Sequence, residues 1–142
     1  MADIYHSLTI QSSPEEVFKA ISTPAGLDNW WTKDSAGNNQ LNEVYKLNFG
    51  PLYHWGAVVS KCVANENFEL TMTNSDQDWK DTKVGFVLKP NDDFTKLSFY
   101  HTGWPVANEH YKTSSFCWAM YLRILKNYLE NGELVPYEER DS

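Results

Sequence analysis

Residues 114–131, SSFCWAMYLRILKNYLEN, form the long helical pattern that decides the fold. Large apolar side chains recur there at spacings of three, four and seven, which places them on one face of a helix. This apolar stripe comprises Trp118, Tyr121, Leu122, Leu125, Tyr128 and Leu129, and the other side carries Arg123, Lys126 and Glu130. Such a helix must cover an apolar surface while its charged side faces water.

The surface that the helix covers is predicted to be a β-sheet. Apolar and polar side chains alternate over residues 43–49, 53–63, 68–73, 83–89 and 95–102, and again over 4–10, as is typical of half-buried strands. Short turns join the successive strands, which favours an antiparallel sheet. The polar residues 33–40 predict a surface loop, and the acidic residues 76–81 predict a solvated hairpin.

Two short helices are predicted between the first strand and the loop. Ser13 precedes Pro14, with Glu16 three positions after Ser13, a pattern that favours a capped helix start. Thr23-Pro24 repeats the signal and predicts a second helix ending at Leu27. The order of strand, two short helices, strands and long helix predicts an α+β fold with the helices on one face of the sheet.

Composition restricts the classes of function. The length of 142 residues predicts a single domain over residues 1–142, and its 15% aromatic content is high. A net charge of −7 and scattered basic residues argue against nucleic acid as a partner. The chain has no apolar run long enough to span a bilayer and no signal-peptide pattern, so we expect no membrane partner and a cytoplasmic location. Cys62 and Cys117 are expected to be small buried groups rather than a redox pair.

Several motifs in this order resemble one known family. They are Ser13-Pro14-Glu15-Glu16-Val17-Phe18, Trp30-Trp31, the run from Leu97 to Trp104, and Phe116-Cys117-Trp118 with Leu122, Leu125 and Tyr128-Leu129-Glu130. Together they resemble the AHSA1-like (activator of Hsp90 ATPase homologue-like) branch of the SRPBCC, or START/Bet v 1-like, superfamily, over essentially the whole chain. The resemblance implies a helix-grip fold, in which a curved antiparallel sheet wraps around the C-terminal helix.

The resemblance leaves the activity open, because relatives include an Hsp90 co-chaperone domain, lipid and hormone carriers, and polyketide cyclases. Two departures from the family pattern stand out. The Gly-Gly pair common after the Trp-containing segment is replaced by Leu41-Asn42-Glu43, and Cys117 takes the place of a frequent glycine. A larger residue at position 117 is expected to narrow any space between helix and sheet.

The candidate ligand-binding residues face one another across that space. They are Trp31, Tyr45, Leu47, Trp55, Met72, Phe86, Phe99 and His101 from the loop and sheet, and Trp118, Tyr121 and Leu122 from the helix. Apolar walls with a few polar tips suit a small hydrophobic or aromatic molecule. The alternative is that these rings fill the space and contribute stability instead, and the sequence leaves both interpretations open.

The candidate residues and the family resemblance together suggest three functions. The leading hypothesis is non-enzymatic binding of a small hydrophobic ligand, the second is an Hsp90-activator-like or other protein-binding module, and the third is a cyclase-like enzyme that uses His101 as acid or base. The histidines and cysteines lack metal-ligand spacing, and no cofactor motif is present, so no metal or cofactor is expected. Trp104-Pro105 could form a homodimer face or cap the sheet, and the charged tail, residues 138–141, is expected to be frayed.

Overall fold

Seven antiparallel strands and one long helix dominate the computed structural model, which describes residues 2–140. The elements are β1 (Ala2–Ile10), α1 (Pro14–Ser22), α2 (Pro24–Leu27), β2 (Asp34–Ala36), β3 (Val44–Asn48), β4 (His54–Val63), β5 (Asn67–Asn74), β6 (Lys83–Asn91), β7 (Phe94–Trp104) and α3 (Glu109–Asn131), followed by a 3₁₀ turn (Tyr137–Glu139). The strand order is β1-β7-β6-β5-β4-β3-β2. This curved sheet around α3 confirms the predicted helix-grip fold.

Helix α3 begins five residues earlier than its apolar stripe predicts. Asn108 caps it, because the Asn108 side chain accepts a hydrogen bond from the backbone N–H of Tyr111 at 2.9 Å. Gly132 ends the helix in a left-handed conformation with φ of 71°. The first turns are rich in polar residues, so the apolar periodicity alone does not mark the start. No helix among residues 2–140 is long and apolar enough to cross a membrane.

The two short helices begin where their caps predict. The hydroxyl of Ser13 accepts from the N–H of Glu16 at 3.2 Å, and that of Thr23 accepts from the N–H of Gly26 at 3.0 Å. The predicted surface loop at residues 33–40 was partly wrong, because Asp34–Ala36 pair with β3 as a three-residue edge strand. Backbone pairing with a neighbouring strand forms this edge without any apolar alternation.

The inner face of the sheet follows the predicted alternation. In β7, Leu97, Phe99 and His101 are buried, and each lies directly opposite a buried residue of β6. In β3, Tyr45 and Leu47 are fully buried while Val44 and Lys46 are exposed. Because side chains in a strand alternate between the two faces, all of these buried groups point towards α1 and α3 and form one core.

Candidate functional site

The centre of the core, between the sheet and the helices, is filled by side chains. Six of the sequence-predicted ligand residues lie there with 0–1% of their surface exposed: Tyr45, Leu47, Met72, Phe86, Phe99 and His101. Leu122 of the helix is 2% exposed and also belongs to this core. The interpretation in which large rings fill the space therefore describes this part of the molecule.

An open groove remains at the end of the core nearest the N-terminal half of α3. We call it the aromatic groove; its volume is about 300 Å³. It is lined by Trp31, Phe49, Tyr53, Trp55, Trp79, His110, Thr113, Ser114, Cys117, Trp118, Tyr121 and Tyr137. Four sequence-predicted residues line it, namely Trp31, Trp55, Trp118 and Tyr121. The structure thus divides the predicted set between a groove and a packed core.

Four indole rings form a continuous side of the groove. Trp118 lies at their centre, 5.1 Å from Trp31 and 5.8 Å from Trp79 between ring centroids. Trp79 is in turn 5.2 Å from Trp55. The Trp79 and Trp118 planes differ by only 22°, so they present roughly parallel faces. Contacts of this length are typical of favourable aromatic pairs, which hold the rings in place.

Trp30 and Trp31 have separate roles. Trp30 is fully buried beneath α1, where its indole N–H donates to the carbonyl of Ala20 at 3.0 Å. Trp31, which is 2% exposed, turns instead towards Phe49 and Trp118 at the base of the groove. One ring of the pair is therefore structural, and the other belongs to the candidate site.

Sequence reasoning missed Trp79, which lies in the acidic segment predicted to be a solvated hairpin. That prediction was wrong for Trp79, because only 8% of its surface is exposed. The Asp76 carboxylate accepts from the Trp79 backbone N–H at 2.9 Å, which fixes the turn that carries the ring inwards. Phe49 was also missed, although it continues the two-residue alternation of Tyr45 and Leu47. Tyr53 and Tyr137 lie on connecting segments and gave no periodic signal.

His101 lies behind the groove, within a continuous series of hydrogen bonds that runs from Trp118 to Trp79. The indole N–H of Trp118 donates to His101 Nδ1 at 3.0 Å. Since Nδ1 accepts, the neutral imidazole carries its proton on Nε2, which donates to the Thr82 hydroxyl at 2.8 Å. The hydroxyl of Thr82 then donates to the carbonyl of Trp79 at 2.5 Å. Both ring nitrogens are therefore occupied by protein groups.

This environment keeps His101 neutral. Burial, with a smaller contribution from the nearby His110, lowers its pKa to about 3. An imidazole with such a pKa does not exchange protons near neutral pH, and it has no free nitrogen for a substrate. His101 acts here as the support that fixes the Trp118 ring.

His110 lies at the rim of the groove beside two carboxylates. Its Nδ1 is 2.9 Å from an oxygen of Asp78, and its Nε2 is 3.6 Å from an oxygen of Asp76. The hydrogen bond from His110 holds the pKa of Asp78 below its usual value. Within residues 2–140, no group of three or more His, Cys, Asp or Glu side chains is arranged to hold a metal ion.

Trp104 belongs to the core, whereas the two cysteines lie at its margin. Trp104 has no exposed surface and packs against His101 at 5.0 Å, so this ring caps the end of the sheet and is not available for a dimer face. The Cys62 and Cys117 side chains are only partly buried, which corrects the prediction of two buried groups. Cys117 lies in the groove, at the position where it was expected to narrow the space.

The C-terminal segment, residues 132–140, closes one side of the groove. Tyr137 lines the groove and donates its hydroxyl proton to the carbonyl of Phe49 at 3.0 Å. Arg140 is 8% exposed and donates to three backbone carbonyls, those of Val135, Thr32 and Asp28, at 2.7–3.1 Å. The prediction of a frayed tail was therefore wrong for residues 138–140, while position 141 lies outside the described residues.

We expect Arg140→Ala to lower the free energy of unfolding by about 2–3 kcal/mol, because it removes the donor from one buried and two partly buried carbonyls. Arg140→Lys should recover only part of this loss, since an ammonium cannot reproduce the three directed donors of the guanidinium. Urea unfolding followed by far-ultraviolet circular dichroism measures the change. As a control, Lys33→Ala removes an exposed ion pair to Glu138 in the same segment and should have almost no effect. Equal effects of Arg140→Ala and Lys33→Ala would contradict the structural role of Arg140.

Comparisons with known proteins match both the fold and the sequence. Among solved structures, the Aha1 dimer from Colwellia psychrerythraea is similar, with 29% identity, a TM-score of 0.84 and coverage of 94% of this chain and 99% of that chain. SSP2350 from Staphylococcus saprophyticus has 16% identity and a TM-score of 0.80, covering 94% and 96%. CalU16 from Micromonospora echinospora has 17% identity and a TM-score of 0.76, covering 97% and 83%. The last two show the fold alone.

None of the curated proteins compared with this chain matches it. The sequence does match a family described as "Activator of Hsp90 ATPase homolog 1-like protein" over residues 11–130. That span runs from the end of β1 almost to the end of α3, and so includes all the strands from β2 to β7. The chain therefore belongs to the family of activator of Hsp90 ATPase homolog 1-like (AHSA1) proteins, as its motifs predict.

Proposed function

We propose that this protein binds a small hydrophobic or aromatic ligand in the aromatic groove and does not act on it chemically. The observation that carries the proposal is the side of the groove formed by Trp31, Trp55, Trp79 and Trp118, with ring centroids 5.1–5.8 Å apart along its length. Aromatic faces held in this way favour stacking with a flat molecule. The proposed site lies beside the N-terminal half of α3 and not at the centre of the core.

The volume of the groove restricts the size of the ligand. Pockets that bind small molecules generally range from about 300 to 1,000 Å³, and this groove, at about 300 Å³, is at the lower end. A molecule of two or three rings suits such a volume better than a lipid chain. The occupied nitrogens of His101 support a binding role over the cyclase-like alternative, because they leave no acid or base at that position.

The test uses the neutral fluorescent probe N-phenyl-1-naphthylamine. We expect it to bind with a dissociation constant of tens of micromolar, roughly as the usual free energy per ligand atom implies. Thr113 is an exposed residue on the groove lining. Thr113→Trp should fill the groove and weaken binding at least tenfold, as judged by the increase in probe fluorescence during titration.

Lys112→Trp provides the matched control. Lys112 is the exposed neighbour of Thr113 on α3 and does not line the groove. A new indole at position 112 adds the same apolar surface without filling the site, so probe affinity should stay at the wild-type value. No binding by the wild type, or equal weakening by both substitutions, would reject the aromatic groove as the binding site.

A second candidate function is an Hsp90-activator-like protein-binding module. Its support is the family match over residues 11–130 and the similarity to the Aha1 dimer at 29% identity. Because the net charge is −7, a partner would need a complementary basic surface. Stimulation of a purified Hsp90 ATPase that is unaffected by Thr113→Trp would favour this candidate, since the outer surface and not the groove would then be responsible.

A further inference from the structure

One edge of the sheet is long and has no neighbouring strand among the described residues. This edge is β1, which has nine residues and pairs with β7 on its other side. The opposite edge, β2, has only three residues. A free edge presents unpaired backbone N–H and C=O groups to which another chain can add a strand, and proteins usually shorten or cover such edges. The β1 edge is too long to be protected by shortness alone.

Helix α3 runs beside the β1 edge and covers both of its ends. Near the start of β1, the hydroxyl of Tyr111 donates to the carbonyl of Asp3 at 2.5 Å. Near its end, the ammonium of Lys126 donates to the carbonyl of Thr9 at 2.6 Å. Both carbonyls accept from the helix, so the backbone groups of these two strand residues point away from β7.

The middle of the edge lacks such cover. Alternate residues of a strand direct their backbone groups to the same side, so Tyr5 and Ser7 point theirs away from β7, as Asp3 and Thr9 do. On this side, no hydrogen bond joins the backbone of Tyr5 or Ser7 to any other residue that the structure describes. The helix residue beside this gap is Ala119, whose methyl group can neither donate nor accept. Four backbone groups in a row are therefore open to a partner.

A groove of about 320 Å³ lies at this gap, and we call it the edge groove. It is lined by residues 6–9 of β1 and by Ala119, Leu122, Arg123 and Lys126 of α3. Its lining shares no residue with that of the aromatic groove, so the two are separate sites. A free strand edge beside a groove for side chains is the arrangement by which proteins bind an extended peptide as an added strand.

The edge groove is basic, although the whole chain carries a net charge of −7. Its lining contains no Asp or Glu. The charge of Lys126 is neutralised by Glu130, whose carboxylate lies 2.6 Å away. Arg123 is exposed and has no hydrogen bond or ion pair with the other described residues. Its guanidinium is therefore available to bind a carboxylate through two parallel hydrogen bonds.

The same charge disfavours a second copy of this chain as the occupant. Two copies that paired their β1 strands around a twofold axis would each bring Arg123 to the shared edge. Like charges placed together at an interface oppose association, whereas an acidic segment would complement them. The charge of the edge groove therefore favours a different, acidic chain.

We propose that the edge groove binds a short, extended, acidic segment of another protein, which adds a strand beside Tyr5 and Ser7 and pairs a carboxylate with Arg123. Backbone hydrogen bonds supply affinity for an extended chain, and the Arg123 pair selects an acidic one. The inference goes beyond the proposed function, because it assigns a second site with a different kind of partner.

The test titrates isotopically labelled protein with the capped peptide N-acetyl-Thr-Val-Glu-Val-Glu-Thr-amide and follows the backbone amide signals by two-dimensional NMR. The two carboxylates lie on one face of this peptide when it is extended. We expect the signals of Tyr5, Ser7 and Thr9 to shift most, because their N–H groups face the added strand. A version with proline in place of both valines should shift none of them, since proline prevents strand pairing.

Two substitutions separate the groove from the charge. Ala119→Phe fills the edge groove from an exposed position of α3, so it should abolish the shifts of Tyr5 and Ser7 while the protein remains folded. Arg123→Gln should weaken binding of the peptide about three- to fivefold, because it removes the charge and leaves the backbone pairing. Lys112→Gln is the matched control, since it removes the same charge from an exposed position of α3 outside the edge groove and should leave the affinity unchanged.

Three results would overturn the proposal. The first is no shift of Tyr5 or Ser7 at millimolar concentrations of the peptide. The second is equal affinity for this peptide and for one with glutamine in place of both glutamates. The third is a dimer in sedimentation equilibrium that Ala119→Phe dissociates, because a second copy would then occupy the edge. None of these measurements uses the aromatic groove, so they leave the proposed function to its own test.

Discussion

Trp118→Ala is expected to lower the free energy of unfolding by about 3–5 kcal/mol, the usual range for removing a buried tryptophan. Trp118 is 2% exposed and touches rings from three separate parts of the chain, namely Trp31, Trp79 and Phe99. The substitution also removes the donor to His101. Chemical denaturation at pH 7 measures the loss, and binding of N-phenyl-1-naphthylamine should fall with it, because the central ring of the groove is absent.

Two controls separate packing from hydrogen bonding in this prediction. Trp118→Phe keeps an aromatic ring but leaves His101 Nδ1 without its donor, so we expect a smaller loss of about 1–3 kcal/mol. Phe116→Ala removes a ring of the same helix that is 72% exposed, and it should change stability by less than about 0.5 kcal/mol. If Trp118→Ala were no more destabilising than Phe116→Ala, the packing described around Trp118 would be wrong.

Acid should destabilise the protein through His101. The folded-state pKa of this histidine is about 3, whereas its ordinary value is 6.5, so the unfolded chain takes up a proton first as the pH falls. The loss of stability caused by His101 is absent above pH 6.5, and it grows as the pH drops towards 3. Stability should therefore fall by about 1.4 kcal/mol per pH unit across this range, for a total of about 4–5 kcal/mol.

His101→Gln tests this assignment, because glutamine can both donate and accept hydrogen bonds but does not titrate. Unfolding free energies of the two proteins between pH 7 and pH 4 should converge as the pH falls, since the variant lacks this acid-sensitive loss. The exposed His54 provides the control, and His54→Gln should leave the slope of the wild type unchanged. Parallel pH profiles for His101→Gln and the wild type would show that His101 is not responsible.

The sequence was sufficient to predict the elements that depend on local patterns. The stripe around Trp118 specifies a helix, and the alternation through Leu97, Phe99 and His101 specifies a strand with one buried face. The caps at Ser13 and Thr23 specify helix starts, since one side chain satisfies one nearby backbone N–H. These signals depend on neighbours within a few positions, so they can be identified without knowledge of the fold.

The candidate site could be predicted only in part. Periodicity identifies the face on which a side chain lies, but not whether the opposing surface leaves room beside it. Phe99 and Trp118 both lie on the buried face of their elements, yet the first is enclosed in the core and the second lines the groove. Trp79 and Arg140 follow no pattern at all, because their burial depends on partners from distant parts of the chain, such as Trp118 and Thr32.

The sequence by itself determined the α+β class and the buried face of each main element, because hydrophobic periodicity, turn residues and caps act over short distances. The helix-grip architecture and the family followed from the resemblance of its motifs to a known family. Only the tertiary structure decided that the centre of the core is filled by side chains and that the aromatic groove lies beside the N-terminal half of α3. The physical reason is that a cavity is a small difference between the volume enclosed by the backbone and the volume of the rings inside it. That difference depends on contacts between residues far apart in the chain, including Trp79 and Tyr137, which no local pattern indicates.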